Sequence, residues 1–238
     1  MKSTLSLLAL PMLALPLWAQ TPSVNRAAGS GEHPQLNILS SDNPMMPARV
    51  TMLGITGGTV RLLISVDHTG KLSDTLVVAY SNKDLADACV DALTRWRFAP
   101  PTFHGEPVSI QRELRFEFDN RGTFVTQDIT AYVGSLIERV QGGPHLVFWP
   151  HTLRELDKIP TPLHTEHPLA PAGQLGTATV EFYIDTEGHV RMPTVQSADQ
   201  QDLGDAAAAS VRQWSFEPPT YQGRPVLIRV SQTFRFTK

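Results

Sequence analysis

The sequence predicts an α+β protein built from two tandem copies of one module, each a three-stranded antiparallel sheet packed on helices. Three observations carry that expectation. The chain repeats itself at an offset of 118 residues. Each copy holds two β-rich runs joined by an Asp-x-x-Gly turn, and then an apolar stripe at helical spacing that ends in Trp and a double proline.

The repeat is dense. Trp96-Arg97-Phe98-Ala99-Pro100-Pro101-Thr102 recurs as Trp214-Ser215-Phe216-Glu217-Pro218-Pro219-Thr220, and Gly105, Pro107, Val108 and Ile110 recur as Gly223, Pro225, Val226 and Ile228. From Gly58 to Phe118 no gap is needed, and about a third of the positions are identical.

The first strand of each copy is Thr59 to Val66 and Thr177 to Ile184, where β-branched and aliphatic residues concentrate. Asp67-His68-Thr69-Gly70 and Asp185-Thr186-Glu187-Gly188 close these strands into hairpins, and Lys71 to Val78 and His189 to Val195 return. Ser81 and Asp199 each stand three residues before an Asp, which predicts helix N-caps there. Leu85, Ala88, Cys89, Ala92, Leu93 and Trp96 then line one helical face, matched by Leu203, Ala206, Ala207, Ser210, Val211 and Trp214. The double prolines end the helix in extended backbone. A last strand follows; in copy two it runs from Val226 to Phe236, with Val226, Ile228, Val230, Gln232, Phe234 and Phe236 on one face. Leu227, Arg229, Ser231, Thr233 and Arg235 share the other. Copy one presents Gln111, Glu113, Arg115 and Glu117 there, and has Arg112 where copy two has Val230.

Outside the repeats, Lys2, the apolar run Leu5 to Leu17 and Ala19 have the layout of a secretory signal peptide, 1–20. Two prolines and a run of about 13 residues argue against a membrane-spanning anchor. Residues 21–43 are polar and aperiodic, which predicts a flexible tether. The modules are expected at 44–120 and 160–238, with 121–159 a connecting helical segment whose stripe is Ile129, Tyr132, Val133, Leu136, Ile137 and Val140, capped by Asp128.

Chain chemistry narrows the functions. A net charge of −3 and 18% charged residues give no basic surface for nucleic acid. One cysteine, Cys89, excludes an internal disulfide framework or a CxxC pair, and its place on the apolar stripe makes it a buried spacer. Asp67, Asp185 and Glu187 are explained by turn chemistry. No G-x-S-x-G, phosphate loop or G-x-G-x-x-G is present, Gly57-Gly58 precedes a strand, and no nucleophile meets a base, so the reading is not an enzyme. His145, His151, His164 and His167 form a local group, but His164-Thr165-Glu166-His167 lacks metal-ligand spacing, so no metal and no cofactor is expected.

A hairpin turning on Asp-x-x-Gly, an Ala-rich helix ending in W-x-F-x-P-P, and a G-x-P-V strand with F-x-F resemble the C-terminal domain of TonB, over 47–118 and 160–237. The residues that carry the resemblance are Trp96, Phe98, Pro100, Pro101, Gly105 and Pro107, and Trp214, Phe216, Pro218, Pro219, Gly223 and Pro225. It implies a periplasmic domain that grips the N-terminal box of an outer-membrane transporter by adding the box as a strand beside its last strand. The uncleaved anchor helix and long Pro-rich spacer of a full energy transducer are not seen here.

The expected function is therefore recognition of a protein or peptide by strand addition, accessory to outer-membrane transport or to envelope scaffolding. The edge of copy two is the less guarded by charge, which selects Leu227, Arg229, Val230, Ser231, Thr233 and Arg235 as partner-binding. On one of two neighbours, Arg229 or Val230, the N–H must point to the free edge. The alternatives are a structural or oligomerising tandem with covered edges, and a periplasmic metal or solute binder using the loop histidines.

Overall fold

The computed structural model describes residues 34–119, 121–128 and 146–237. The expected signal peptide and the helical stripe from Ile129 to Val140 lie outside the described residues. In chain order come β1 (Ile38–Ser40), α1 (Ala48–Met52), β2 (Gly58–Val66), β3 (Leu72–Tyr80), α2 (Lys83–Leu93), β4 (Arg97–Phe98), β5 (Thr102–Phe103), β6 (Glu106–Pro107), β7 (Ile110–Asp119) and β8 (Gly122–Asp128). The second half continues with β9 (Pro162–His164), a single 3-10 turn (Pro171–Gly173), β10 (Gly176–Ile184), β11 (Val190–Ala198), α3 (Gln201–Val211), β12 (Ser215–Phe216), β13 (Thr220–Tyr221), β14 (Arg224–Pro225) and β15 (Ile228–Phe236).

Both hairpins fold on the predicted turns. Gly70 and Gly188 donate to the carbonyls of Asp67 and Asp185 at 2.9 and 3.0 Å, while each Asp carboxylate accepts from backbone N–H groups across the turn. Glycine is required there: Gly188 has φ +90° and a Cβ would lie 2.0 Å from the Phe216 carbonyl oxygen.

The helices pack on one face of each sheet. In module 1, Leu85, Cys89, Leu93 and Trp96 meet Val60, Leu62, Ile64, Leu114 and Phe116; in module 2, Leu203, Ala207 and Val211 meet Val180, Phe182 and Phe234. Small residues on this face let the helix approach the sheet closely. The helix starts one residue later than predicted. Asn82 is the first N-cap, accepting from Asp84 N–H, and Gln200 is the second, with no side-chain cap bond. Ser81 and Asp199 instead accept from the N–H of Thr59 and Thr177 at 2.9 and 2.7 Å, fastening the first strand to the start of the helix.

Two further corrections concern the borders. Residues 34–43 were expected in the tether, yet Leu36 is buried, Ile38 pairs with Phe98, and the Asp42 carbonyl accepts from Trp96 Nε1 at 3.0 Å. A few apolar side chains and a free strand partner suffice to hold a polar segment in place. Module 1 also has four strands where three were expected, in the order β3-β2-β7-β8. Its fourth, β8, comes from the stretch assigned to the connecting segment, and Asp128 ends that strand. Module 2 has the expected three, β11-β10-β15.

The sheet faces turned away from the helices meet between modules. Leu76 and Val78 of one cluster with Tyr183, Met192 and Leu227 of the other. Arg191 pairs with Asp74 and Thr194 with Gln111 across the same boundary.

Candidate functional site

The last strand of each sheet offers its outer side to different neighbours. In module 1, β8 turns back directly after β7 and runs antiparallel to it, pairing Glu113 with Asp128, Arg115 with Thr126, Glu117 with Phe124 and Asp119 with Gly122. That edge is closed by the chain itself. The sequence held a signal for it: Gly122 after Asn120-Arg121, then Thr123 to Thr126 rich in β-branched and aromatic residues.

In module 2, β15 pairs with β10 over its whole length, from Ile228 opposite Ile184 to Phe236 opposite Gly176. On the outer side only its first residues have a partner. His151 donates its N–H to the Leu227 carbonyl at 2.8 Å and accepts from the Arg229 N–H at 3.1 Å, as a short parallel bridge. This fixes the parity of the strand, since backbone groups alternate in direction with period two. The N–H and C=O of Arg229, Ser231, Thr233 and Arg235 point outward, and those of Val230 and Gln232 point to β10. Among the described residues no strand pairs with β15 on that side beyond Arg229. The Thr233 carbonyl accepts from the neighbouring Gln232 amide at 3.0 Å.

The expected edge residues therefore divide. Ser231, Thr233 and Arg235 lie exposed along the open edge. Arg229 stands at its start, with its guanidinium on Glu181 and its N–H already taken by His151. Val230 is half-buried against the helix-side core. Leu227 is no edge residue at all: it is 1% exposed within the inter-module cluster, because the second module's back face is covered there by the first.

The motif residues form the frame behind the edge. Trp96 packs at 6.1 Å from Phe98 and 5.9 Å from Phe116, and Trp214 at 6.2 Å from Phe216 and 5.5 Å from Phe234. Trp96 is buried, whereas Trp214 is only half-buried. Pro101 and Pro219 accept from the N–H of Val108 and Val226, both at 2.9 Å, and so aim the chain into the last strand. Gly105 and Gly223, at φ +85° and +72°, turn the small β5–β6 and β13–β14 hairpins that carry Pro107 and Pro225, while Pro100 and Pro218 stay exposed.

The histidines go elsewhere. His151 lies between Trp149 and Tyr221, with ring centroids 5.3 and 4.6 Å away, and His164 and His167 are exposed. Among the described residues no three His, Cys, Asp or Glu side chains are placed to hold one metal ion. Burial pushes the Cys89 thiol up, out of the reactive range. Burial also pushes the Tyr183 hydroxyl up to about 12. Among the described residues no helix is long and apolar enough to cross a membrane.

No curated protein matches the chain. Among solved structures, the solution NMR structure of the Pseudomonas aeruginosa TonB CTD aligns at 22% identity over 37% of this chain and 93% of its own, with a TM-score of 0.32. The profile of the Gram-negative bacterial TonB protein C-terminal family matches residues 42–119 and again 169–237, one match in each module. Those two segments make up more than half of the chain, and the protein belongs to the family of Gram-negative bacterial TonB C-terminal domains, which it carries in tandem.

Proposed function

We propose that this protein is a periplasmic recognition module that binds an extended segment of a partner protein as an added strand on the outer side of β15. The observation that carries the reading is the contrast between the two edges: module 1 pairs β8 along the outer side of β7, whereas among the described residues nothing pairs with Ser231 to Arg235 on the outer side of β15. Strand addition draws on backbone hydrogen bonds, which an edge of this kind supplies without any special side chain. The N-terminal box of an outer-membrane transporter is a partner of the right form, and envelope scaffolding is the other setting for the same contact. Module 1, with its edge filled, serves as the structural half of the tandem.

Proline substitution tests the edge. Thr233 points its N–H outward, so Thr233→Pro removes a donor needed by the partner and spares the pairing to β10. Gln232 points its N–H to β10, so Gln232→Pro breaks the ladder and unfolds the module. Peptides prepared from envelope extract should lose binding to the Thr233→Pro protein while its melting temperature stays within a few degrees of the parent. Unchanged binding by that variant would exclude the edge as the site.

A further inference from the structure

We infer that module 1 carries a binding site for a small zwitterionic carboxylate, of the amino-acid or dipeptide kind, in the cleft between β2, β7 and the start of α2. The cleft has a volume of about 470 Å³, within the range of small-molecule sites. The Gly57-Gly58 entry to β2, Ser81 and Asn82 ahead of α2, and Arg115 and Glu117 of β7 line it. Among the described residues only module 1 contributes to it, so this binding is independent of any partner on β15.

The internal repeat shows what the cleft lacks. In module 2 the Asp199 carboxylate accepts from both the N–H and the hydroxyl of Thr177, at 2.7 and 3.1 Å. Module 1 has Ser81 at that place. Its single oxygen accepts from the Thr59 N–H at 2.9 Å and donates back to the Thr59 carbonyl at 3.3 Å. The Thr59 hydroxyl is left with no hydrogen-bond partner among the described residues, although Thr59 is only 5% exposed and lines the cleft. Leaving a buried hydroxyl unbonded is unfavourable, and a carboxylate entering the cleft supplies the acceptor that Asp199 supplies in module 2.

Space and further donors stand at the same place. Leu175 and Gln200 occupy the module 2 positions of Gly57 and Asn82, and Gln200 Nε2 closes on the Leu175 carbonyl at 3.2 Å. In module 1 the glycine leaves that wall bare. Asn82 Oδ1 accepts from the Asp84 N–H at 2.8 Å, and its Nδ2 has no partner among the described residues.

The charges decide the class of ligand. Arg115 and Glu117 lie two apart on β7, so their heads share one face of the sheet, joined at 2.7 Å. Glu117 stands directly opposite Thr59 in the β2–β7 ladder. Module 2 has Thr233 and Arg235 at these positions. A zwitterion laid along the pair sets its carboxylate against Arg115, Thr59 and Asn82 and its ammonium against Glu117. Each charge then meets its opposite while the Arg115–Glu117 contact stays in place. The half-buried Ile55 offers apolar contact to the rest of the ligand.

The test follows the amide resonances of Gly57, Gly58 and Thr59 in the full chain during titration with alanyl-alanine. These resonances should shift and saturate. The C-terminally amidated dipeptide should bind at least about tenfold more weakly, since its carboxylate is gone. The N-acetylated dipeptide should bind about threefold to tenfold more weakly for want of the ammonium. Ser81→Asp reproduces the module 2 arrangement and gives Thr59 a carboxylate of the protein's own. It should weaken alanyl-alanine binding at least about tenfold while the melting temperature holds or rises, which damage to the fold would not produce. Thr59→Val removes a hydroxyl that has no internal bond to lose, and should weaken binding about threefold to tenfold at an unchanged melting temperature. Absence of any shift at these amides, equal binding of either blocked dipeptide, or full affinity in either variant overturns the inference.

Discussion

At the scale of single residues, equivalent positions in the two modules do unequal work. Trp96 is 3% exposed within a full aromatic core, while Trp214 is half-buried and hydrogen-bonded to the Glu166 carbonyl. Trp96→Ala should cost about 3 to 5 kcal/mol, as large core truncations do, and Trp214→Ala about half as much, since less of its surface leaves water on folding. Chemical denaturation of each variant checks the order. The turn glycines separate in the same way. Gly223 has a left-handed φ of +72° with open space around it, so Gly223→Ala should cost about 1 to 2 kcal/mol of backbone strain alone. Gly188→Ala adds a collision with the Phe216 carbonyl and should cost clearly more. Equal losses for the two would mean that the turn yields and that φ alone matters.

At the scale of elements, the legible parts were those written by local periodicity. Hairpins, helices and the W-x-F-x-P-P ending stood where the spacing of Leu85 to Trp96 and the Asp-x-x-Gly turns put them. Three features were not legible, each decided by a non-local partner. The tail of the supposed tether is held by an edge that β4 offers to Ile38. In β11 the register shifts, and Met192 takes φ +51°, which turns its side chain toward module 1 against the strand alternation. Leu227 reads as an edge residue in the alternation, yet the other module buries it. The alternation thus places Ser231, Thr233 and Arg235 where the structure exposes them and misplaces Leu227, while their binding role stays a proposal. β8 itself gives a prediction. Thr126 lies opposite Arg115, whose equivalent in module 2 is the outward-facing Thr233, so Thr126 exchanges backbone bonds with β7. Thr126→Pro should therefore loosen β8 and open the module 1 edge. Hydrogen exchange at the β7 amides that β8 covers should then quicken in the variant, and unchanged protection would show that β8 stays docked.

At the scale of the molecule, binding at the β15 edge as proposed requires module 2 to be held still, and the inter-module boundary provides the hold. Leu227 precedes β15, is buried against Leu76 and Val78, and has its carbonyl tied to His151. A partner seated on Ser231 to Arg235, as proposed, would therefore pull on both modules at once. The same boundary buries an ion pair between Arg61 and Glu113, 7% and 5% exposed, on neighbouring strands of module 1. Both charges act on the Tyr183 hydroxyl of module 2, which lies close enough to feel them. Desolvating two charges costs nearly what their attraction returns, so the pair contributes little net stability while each member alone is expensive to leave behind. Glu113→Leu should thus cost about 3 to 5 kcal/mol, because it removes the carboxylate of a buried pair while the Arg61 guanidinium stays desolvated. The double variant Arg61→Met with Glu113→Leu should recover most of that loss, to within about 1 kcal/mol of the parent, or exceed it. A double-mutant cycle by denaturant unfolding gives the coupling directly. If the losses simply add, the pair is screened as at a surface and the boundary admits water around Arg61.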